Sequence, residues 1–225
     1  MNPTTPFRIE TFAEPADAFH HRDLLSAPTP TVAVCRTTGP ALVLGSAQRD
    51  EVADGRACDR RGVDVVRRRS GGGAVLVEAN AMVWLDTIVP ADDPRFVDIA
   101  GDVTRSMHWI GGHVHTALAA LGVDDASVHD GPMDCGQWCR LVCFAGTAPG
   151  EVLLGGRKLV GISQRRTRAG ARFQCAVHTR WSPEYMIELL ARPRPLAGEL
   201  PDVATLDVAV AEGLAEALVA VLNAL

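Results

Sequence analysis

Apolar positions along the chain repeat with two different periods. From Val103 they fall at Val103, Met107, Ile110, Val114, Leu118 and Leu121, and these steps of three and four predict an amphipathic helix ending at Gly122. Gly111 and Gly112 lie inside it, and each weakens a helix by about 1 kcal/mol unless a close neighbour requires the space. Leu206, Val210, Leu214, Leu218 and Val221 share one face of a last predicted helix. "EPADAFHHRDLL" reads as a first helix ending near Ser26, and "QRDEVADGRACDRRG" as a polar helix closed by Gly62. "SPEYMIELLA" opens another, with Ser182 as N-cap and Pro183 in the first turn.

Shorter apolar runs predict strands. "TVAVCR" (31–36) and "ALVLG" (41–45) are two, with "TTGP" as the turn between them. "VDVVR" is a third. "AVLVEANAMVWLDTIVP" reads as two strands around the polar break Glu78-Ala79-Asn80, the second stopped by Pro90. "EVLLGGRKLVGIS" predicts a hairpin turning at Gly155-Gly156, and "RFQCAVHTRW" a further strand. Strands and helices alternate without a regular βαβ rhythm, and no repeat is visible, so the expected class is α+β.

Composition narrows the function. A length of 225 residues suits one domain, and a 47% hydrophobic content can fill a core. The net charge of −5 carries no nucleic-acid signature. The cations cluster instead at Arg67–Arg69, at Arg157 and Lys158, and at Arg165, Arg166 and Arg168. Such clusters on an acidic body suit either a small anionic ligand or solvated surface arginines. "MNPTTPFRIETFAEP" lacks a basic start followed by an apolar core, and no run is long enough to span a membrane, so a cytoplasmic protein is expected. The six cysteines then read as reduced thiols. Cys135, Cys139 and Cys143 stand four apart with no second pair farther along, so no metal site is expected.

The stretch that concentrates the chemistry is "VVRRRSGGGAVLV" (65–77). Glycine lets a backbone approach a ligand closely, and successive exposed N–H groups form a concavity for anions. Adjacent arginines offer forked donors to carboxylate or phosphate. The phosphate-loop pattern is absent, since no Lys-Ser or Lys-Thr follows, and the dinucleotide pattern is absent too. A seat for an acyl- or phosphate-bearing ligand and a plain flexible turn both fit these residues.

"RRRSGGGAVLVEAN" resembles the signature of the lipoate–protein ligase A and octanoyltransferase family, within the biotin/lipoate ligase catalytic-domain superfamily, with Asn80 in the last place. "ALVLGSAQ", ending at Gln48, and "GGRKLVGISQRR" resemble two further segments of that family, in the same order. The resemblance spans roughly residues 15 to 215, with no room for a separate C-terminal accessory domain. It implies a mixed sheet packed with helices and transfer of a lipoyl or octanoyl group to a lysine of a carrier domain. It also implies that Arg68, Arg69, Ser70, Gly71, Gly72, Gly73, Ala74, Asn80 and Gly161 hold the ligand, with Gln48 a further contributor. Lys158 would stabilise charge on the acyl carbonyl. An apolar slot from the strands at Val75–Val77 and Val83–Leu85 would suit the acyl tail.

Two routes divide such a family. Ligases use ATP and Mg²⁺ and form an acyl-adenylate; octanoyltransferases need no cofactor and pass the acyl group through a cysteine thioester. "LVCFAG" resembles the Cys-Phe segment of the cysteine-dependent branch and makes Cys143 the expected nucleophile, fifteen residues before Lys158. The acyl ligand is lipoate or octanoate. The implied acceptors are lipoyl domains of 2-oxoacid dehydrogenase complexes or a glycine-cleavage H-type carrier, with acyl carrier protein as a donor. Val77 replaces a family histidine, and Gln174-Cys175-Ala176 replaces a Gln-His-Gly segment, which makes Cys175 a rival nucleophile. The adenylating ligase, and a non-catalytic binding protein on the same fold, are the alternatives.

Overall fold

The computed structural model of the protein describes residues 4–224. In chain order the elements are β1 (Arg8–Glu14), α1 (Ala16–His21), β2 (Thr31–Thr37), β3 (Ala41–Leu44), α2 (Gly55–Arg61), β4 (Asp64–Arg67), β5 (Val75–Val77) and β6 (Met82–Pro90). There follow α3 (Val103–Ala120), β7 (Ala126–Val128), β8 (Asp134–Cys135), β9 (Gly146–Thr147), β10 (Val152–Leu154), β11 (Arg157–Arg166), β12 (Gly170–His178), α4 (Pro183–Glu188), α5 (Val208–Glu212) and α6 (Leu214–Asn223). Seven strands form one mixed sheet in the order β1-β2-β6-β12-β11-β10-β7, and β4-β3-β5 form a second, smaller sheet.

The period of two along β6 explains how the layers stack. Leu85 and Val89 point to one side, into a core built with Ile110, Val114 and Leu118 of α3 and Leu214 and Leu218 of α6. Met82, Trp84 and Ile88 point to the other, against Phe19 of α1 and the inner faces of β3, β4 and β5. Each such apolar side chain, fully buried, contributes about 1.5–3 kcal/mol. A third cluster packs the outer face of the small sheet, through Leu42, Leu44 and Leu76, against α2 and α4. No helix among the described residues is long and apolar enough to cross a membrane.

Much of this was expected, with particular exceptions. "TTGP" does turn the chain, but β2 and β3 do not pair; the turn carries the chain from the large sheet to the small one. The break at Glu78-Ala79-Asn80 carries it back. The first helix ends at His21, not near Ser26, because Arg22 is already extended and its N–H closes the last turn on Phe19 O. β1, at the sheet edge, went unread because Glu10, Phe12 and Glu14 share its half-buried face. The last predicted helix starts only at Val208, capped by Asp207, since the N–H of Leu206 is bonded to His178 O. Gly111 has the reason its position required: a Cβ there would meet Gly150 O at 1.8 Å. Cys135 and Cys139 form a disulfide pair, Cα–Cα 5.3 Å, which corrects the all-thiol expectation.

Between the two sheets lies a polar network. Asp86 of β6, with no exposed surface, accepts from Trp84 Nε1 at 2.6 Å, from Gln174 Nε2 at 3.2 Å and from Arg172 Nε. Arg172 also donates to Phe19 O at 2.9 Å and so ties α1 onto the sheet. Removing one member of a buried ion pair leaves the other charge uncompensated. Asp86→Ala should therefore cost about 3–5 kcal/mol of unfolding free energy, measured by urea denaturation; a loss below about 1 kcal/mol would mean the pair is not structural.

Candidate functional site

The glycine loop is held by the arginines that precede it. Arg68 is buried, and its guanidinium donates to Gly71 O at 2.7 Å, Gly73 O at 2.9 Å and Val43 O at 3.3 Å. Arg67 donates to Gly45 O at 3.2 Å and also to Gln48 O and Asp50. Arg69 is exposed. Two of the three cations thus brace the loop from inside. Gly72 has φ +102°, a backbone that L side chains rarely adopt. At Gly73 a Cβ would lie 2.6 Å from Val142 C and 2.7 Å from Cys143 N. The loop can therefore lie directly on the segment that carries Cys143. Ala74 N donates to Leu141 O at 2.8 Å and Cys143 N donates to Ala74 O at 3.0 Å, which stitches the two together. Among the described residues no hydrogen bond uses the N–H groups of Gly71, Gly72 or Gly73. Gln48 fixes the same segment from outside, accepting from Gly45 N at 2.9 Å and donating to Arg140 O and Leu141 O at 3.0 Å each.

Lys158 enters from the start of β11. It is 6% exposed, and its three N–H groups meet three acceptors: Cys143 O at 3.0 Å, Gly146 O at 3.0 Å and Glu151 Oε2 at 2.7 Å. Its Nζ is 3.9 Å from Cys143 Sγ and 5.0 Å from the Phe144 ring centre. Burial pulls its pKa down, but the Cys143 sulfur and the Glu151 carboxylate outweigh this, and the group lies above the usual lysine value. Gly161, one turn of strand away, leaves room for Phe144 and the Lys158 stem. Lys158 is also the one lysine in the 225-residue sequence, beside 21 arginines, a count that sequence reading had passed over.

Cys143 is half-buried and faces two spaces. One is an apolar slot between the sheets, walled by Val43, Val75, Val77, Met82, Trp84, Ile162 and Cys175, with His20, Ser163 and Gln174 among its polar members. Ser70 joins these last, its Oγ 2.9 Å from Ser163 Oγ and 3.1 Å from Gln174 Oε1. Of the strands expected to form it, Val75, Val77 and Trp84 line the slot, joined by Met82, because alternate residues of β6 face opposite ways. The other space is an open cleft lined by Cys143, Lys158, Glu151 and Gly71–Gly73 beside Val103 and Met107 of α3.

The structure thus brings together Cys143, Lys158, Arg68, Ser70, the three glycines, Ala74 and Gly161. Asn80 stands apart, exposed at the β5–β6 turn, where it lines a different groove beside α5 and α6. Cys175 is 1% exposed in the slot wall, and burial together with the Asp86 carboxylate pushes its thiol pKa up. Sequence reading missed Glu151, which is 2% exposed and also accepts from Ala148 N at 2.8 Å and Ile162 N at 3.0 Å. It missed His20 and Trp84 as well, stacked 4.4 Å apart. Burial, with Arg172 and Arg68 nearby, holds His20 neutral, far below the ordinary histidine range.

These exposures predict chemical selectivity. Iodoacetamide should alkylate Cys143 in the folded protein and leave Cys35, Cys58 and Cys175 untouched, as read by peptide mass spectrometry. Labelling of Cys175 as fast as Cys143 would contradict the burial described.

Compared with known proteins, the chain matches the family described as the lipoyl protein ligase A/B catalytic domain over residues 16–212. It is 29% identical, over 212 residues, to the octanoyltransferase LipM of Kyrpidia tusciae, covering 84% of this chain and 76% of that one. Among solved structures, a lipoate-protein ligase A bound with ATP superposes with a TM-score of 0.64 at 17% identity, covering 96% of this chain and 83% of the other. A bipartite lipoate protein ligase of Thermoplasma acidophilum, studied with its E2 lipoyl domain, superposes with a TM-score of 0.67 at 16% identity, covering 96% and 82%. These structures share the fold. With the family model matching residues 16–212, the chain belongs to the lipoyl protein ligase A/B catalytic-domain family of enzymes.

Proposed function

We propose that the protein transfers an octanoyl or lipoyl group to a lysine of a lipoyl-carrier domain through a thioester on Cys143. The observation that carries this reading is the placement of a half-exposed thiol 3.9 Å from a buried ammonium, at the junction of an apolar slot and an open cleft. The likeness to an octanoyltransferase supports it.

In this reading the acyl tail lies in the slot, where each buried CH₂ contributes about 0.8 kcal/mol, and the carriers approach by the cleft. The Cys143 thiolate attacks the carbonyl carbon of the donor thioester, the new C–S bond forms, and the carrier leaves as a thiolate that takes up a proton. The free acceptor amine then attacks the same carbon. A C–N bond forms, the C–S bond to Cys143 breaks, and the amine proton passes to sulfur or water. The Lys158 ammonium stands 3.9 Å from the sulfur in both half-reactions. In this reading the Gly71–Gly73 N–H groups donate to the carbonyl oxygen as its charge develops. Lys158 has no spare donor for that oxygen, so its part is that of a fixed cation. The donor is a carrier-bound acyl thioester, the acceptor a lipoyl domain or an H-type carrier, and no cofactor is needed.

An ATP-dependent ligase, needing Mg²⁺, is the competing chemistry. Arg67 and Arg68 are engaged with the chain's own carbonyls and with Asp50, which leaves Arg69 as the exposed cation of that trio. Intact-mass analysis with an octanoyl carrier decides between them. The wild type should gain one acyl group, Cys143→Ala should lose both that adduct and product, and Cys143→Ser should trap a slowly turning ester. Full transfer by Cys143→Ala from lipoate with ATP, abolished by chelating Mg²⁺, would establish the ligase instead.

A further inference from the structure

An acyltransferase that aims a thioester at an amine holds an amine of its own beside that thioester. Lys158 Nζ lies 3.9 Å from Cys143 Sγ, so a carbonyl carbon bonded to that sulfur falls within reach of it, near the 3–3.5 Å of a near-attack geometry. Effective molarities at such distances reach about 10⁵–10⁸ M. A neutral Lys158 would attack: its C–N bond would form, the C–S bond would break, the amine proton would pass to Cys143 sulfur, and the enzyme would end as a stable amide. The sequence offers no other lysine to receive the acyl group.

We propose that Glu151 is a positioning residue that keeps Lys158 an ammonium with no free lone pair, and so prevents the enzyme from acylating itself. This rests on the Cys143 thioester reading. Two of the three acceptors around Nζ are neutral carbonyls, which orient the group without compensating its charge. Glu151 supplies the compensation, at 2.7 Å, and two backbone N–H groups hold its carboxylate in place. The other titratable groups acting here give none once Cys143 is acylated. Arg68, from the glycine loop, is a cation. His178, at the end of β12, is neutral near pH 7, its pKa lowered to about 4 chiefly by burial. Acylation removes the negative form of Cys143, so Glu151 alone then opposes deprotonation of a desolvated lysine.

The test compares wild type with Glu151→Gln, a shape-preserving change that removes the charge. Each protein is incubated with octanoyl carrier, treated with hydroxylamine, which cleaves thioesters and spares amides, and mapped by peptide mass. The wild type should carry a labile acyl group on Cys143 and none on Lys158. An opposing charge at this range shifts a pKa by about 1–3 units, and each unit exposes about tenfold more neutral amine, so hydroxylamine-resistant acyl-Lys158 should rise at least about tenfold in the variant. A single lysine also gives a single side-chain ¹⁵N resonance. In the wild type it should titrate above the ordinary lysine value, a reading that does not depend on how the variant folds. A labile Cys143 adduct in both proteins with no acyl-Lys158 in the variant would overturn the proposal and leave the thioester reading intact, and so would a wild-type lysine that deprotonates below the ordinary lysine value. Absence of any acyl group on wild-type Cys143 would overturn both.

Discussion

A buried ammonium must satisfy all three of its N–H groups inside the protein, and this requirement at Lys158 shapes everything around it. Its acceptors come from the stretch Cys143–Glu151, which winds around the lysine in the space of nine residues. That winding fixes where Cys143 sits. The same stretch is tied to the glycine loop through Ala74, and the loop is in turn braced by Arg68. Cys143, loop and cation are therefore one hydrogen-bonded unit, with its parts drawn from residues 68 to 158.

Two sheets hold that unit in place. The large sheet delivers Lys158 and Gly161 on β11, while the small one delivers the glycines after β4. The Asp86–Arg172 pair stands between them and orients Trp84 and Gln174 along the slot. A charge pair of this kind is weak in net energy but specific in arrangement. An apolar pair of equal volume would pack as well and would leave Trp84 Nε1 without its acceptor.

Periodicity in the sequence made the strands of the large sheet, the Gly155-Gly156 hairpin and the α3 helix legible, because each depends on neighbours a few positions away. The partition into two sheets was not legible. A strand's pattern says which face is buried and is silent on its partner, so nothing in it assigns β2 and β3 to different layers. In the site, the glycine loop, Cys143 and Lys158 stood out through short motifs. Arg67 and Arg68 stood out by their charge, and their guanidinium groups are engaged with carbonyls of the loop and its neighbours. Glu151 carried no local signal at all. It is an ordinary acid in "APGEVLL", and its meaning comes from Ala148, Lys158 and Ile162, brought to it by the β10–β11 fold.

The slot deserves reading as an unfinished part of the interior. It lies between layers that elsewhere press directly on each other through Val77, Met82 and Trp84, so the two sheets lack a common filling there. An apolar tail lying there, as proposed for the acyl chain, would complete the packing and add cohesion across the layers in proportion to its length. Occupancy and rigidity then rise together, since whatever binds only the folded form holds it folded. The molecule would be loosest when empty and tightest when loaded, and the order of its own interior would report which state it is in.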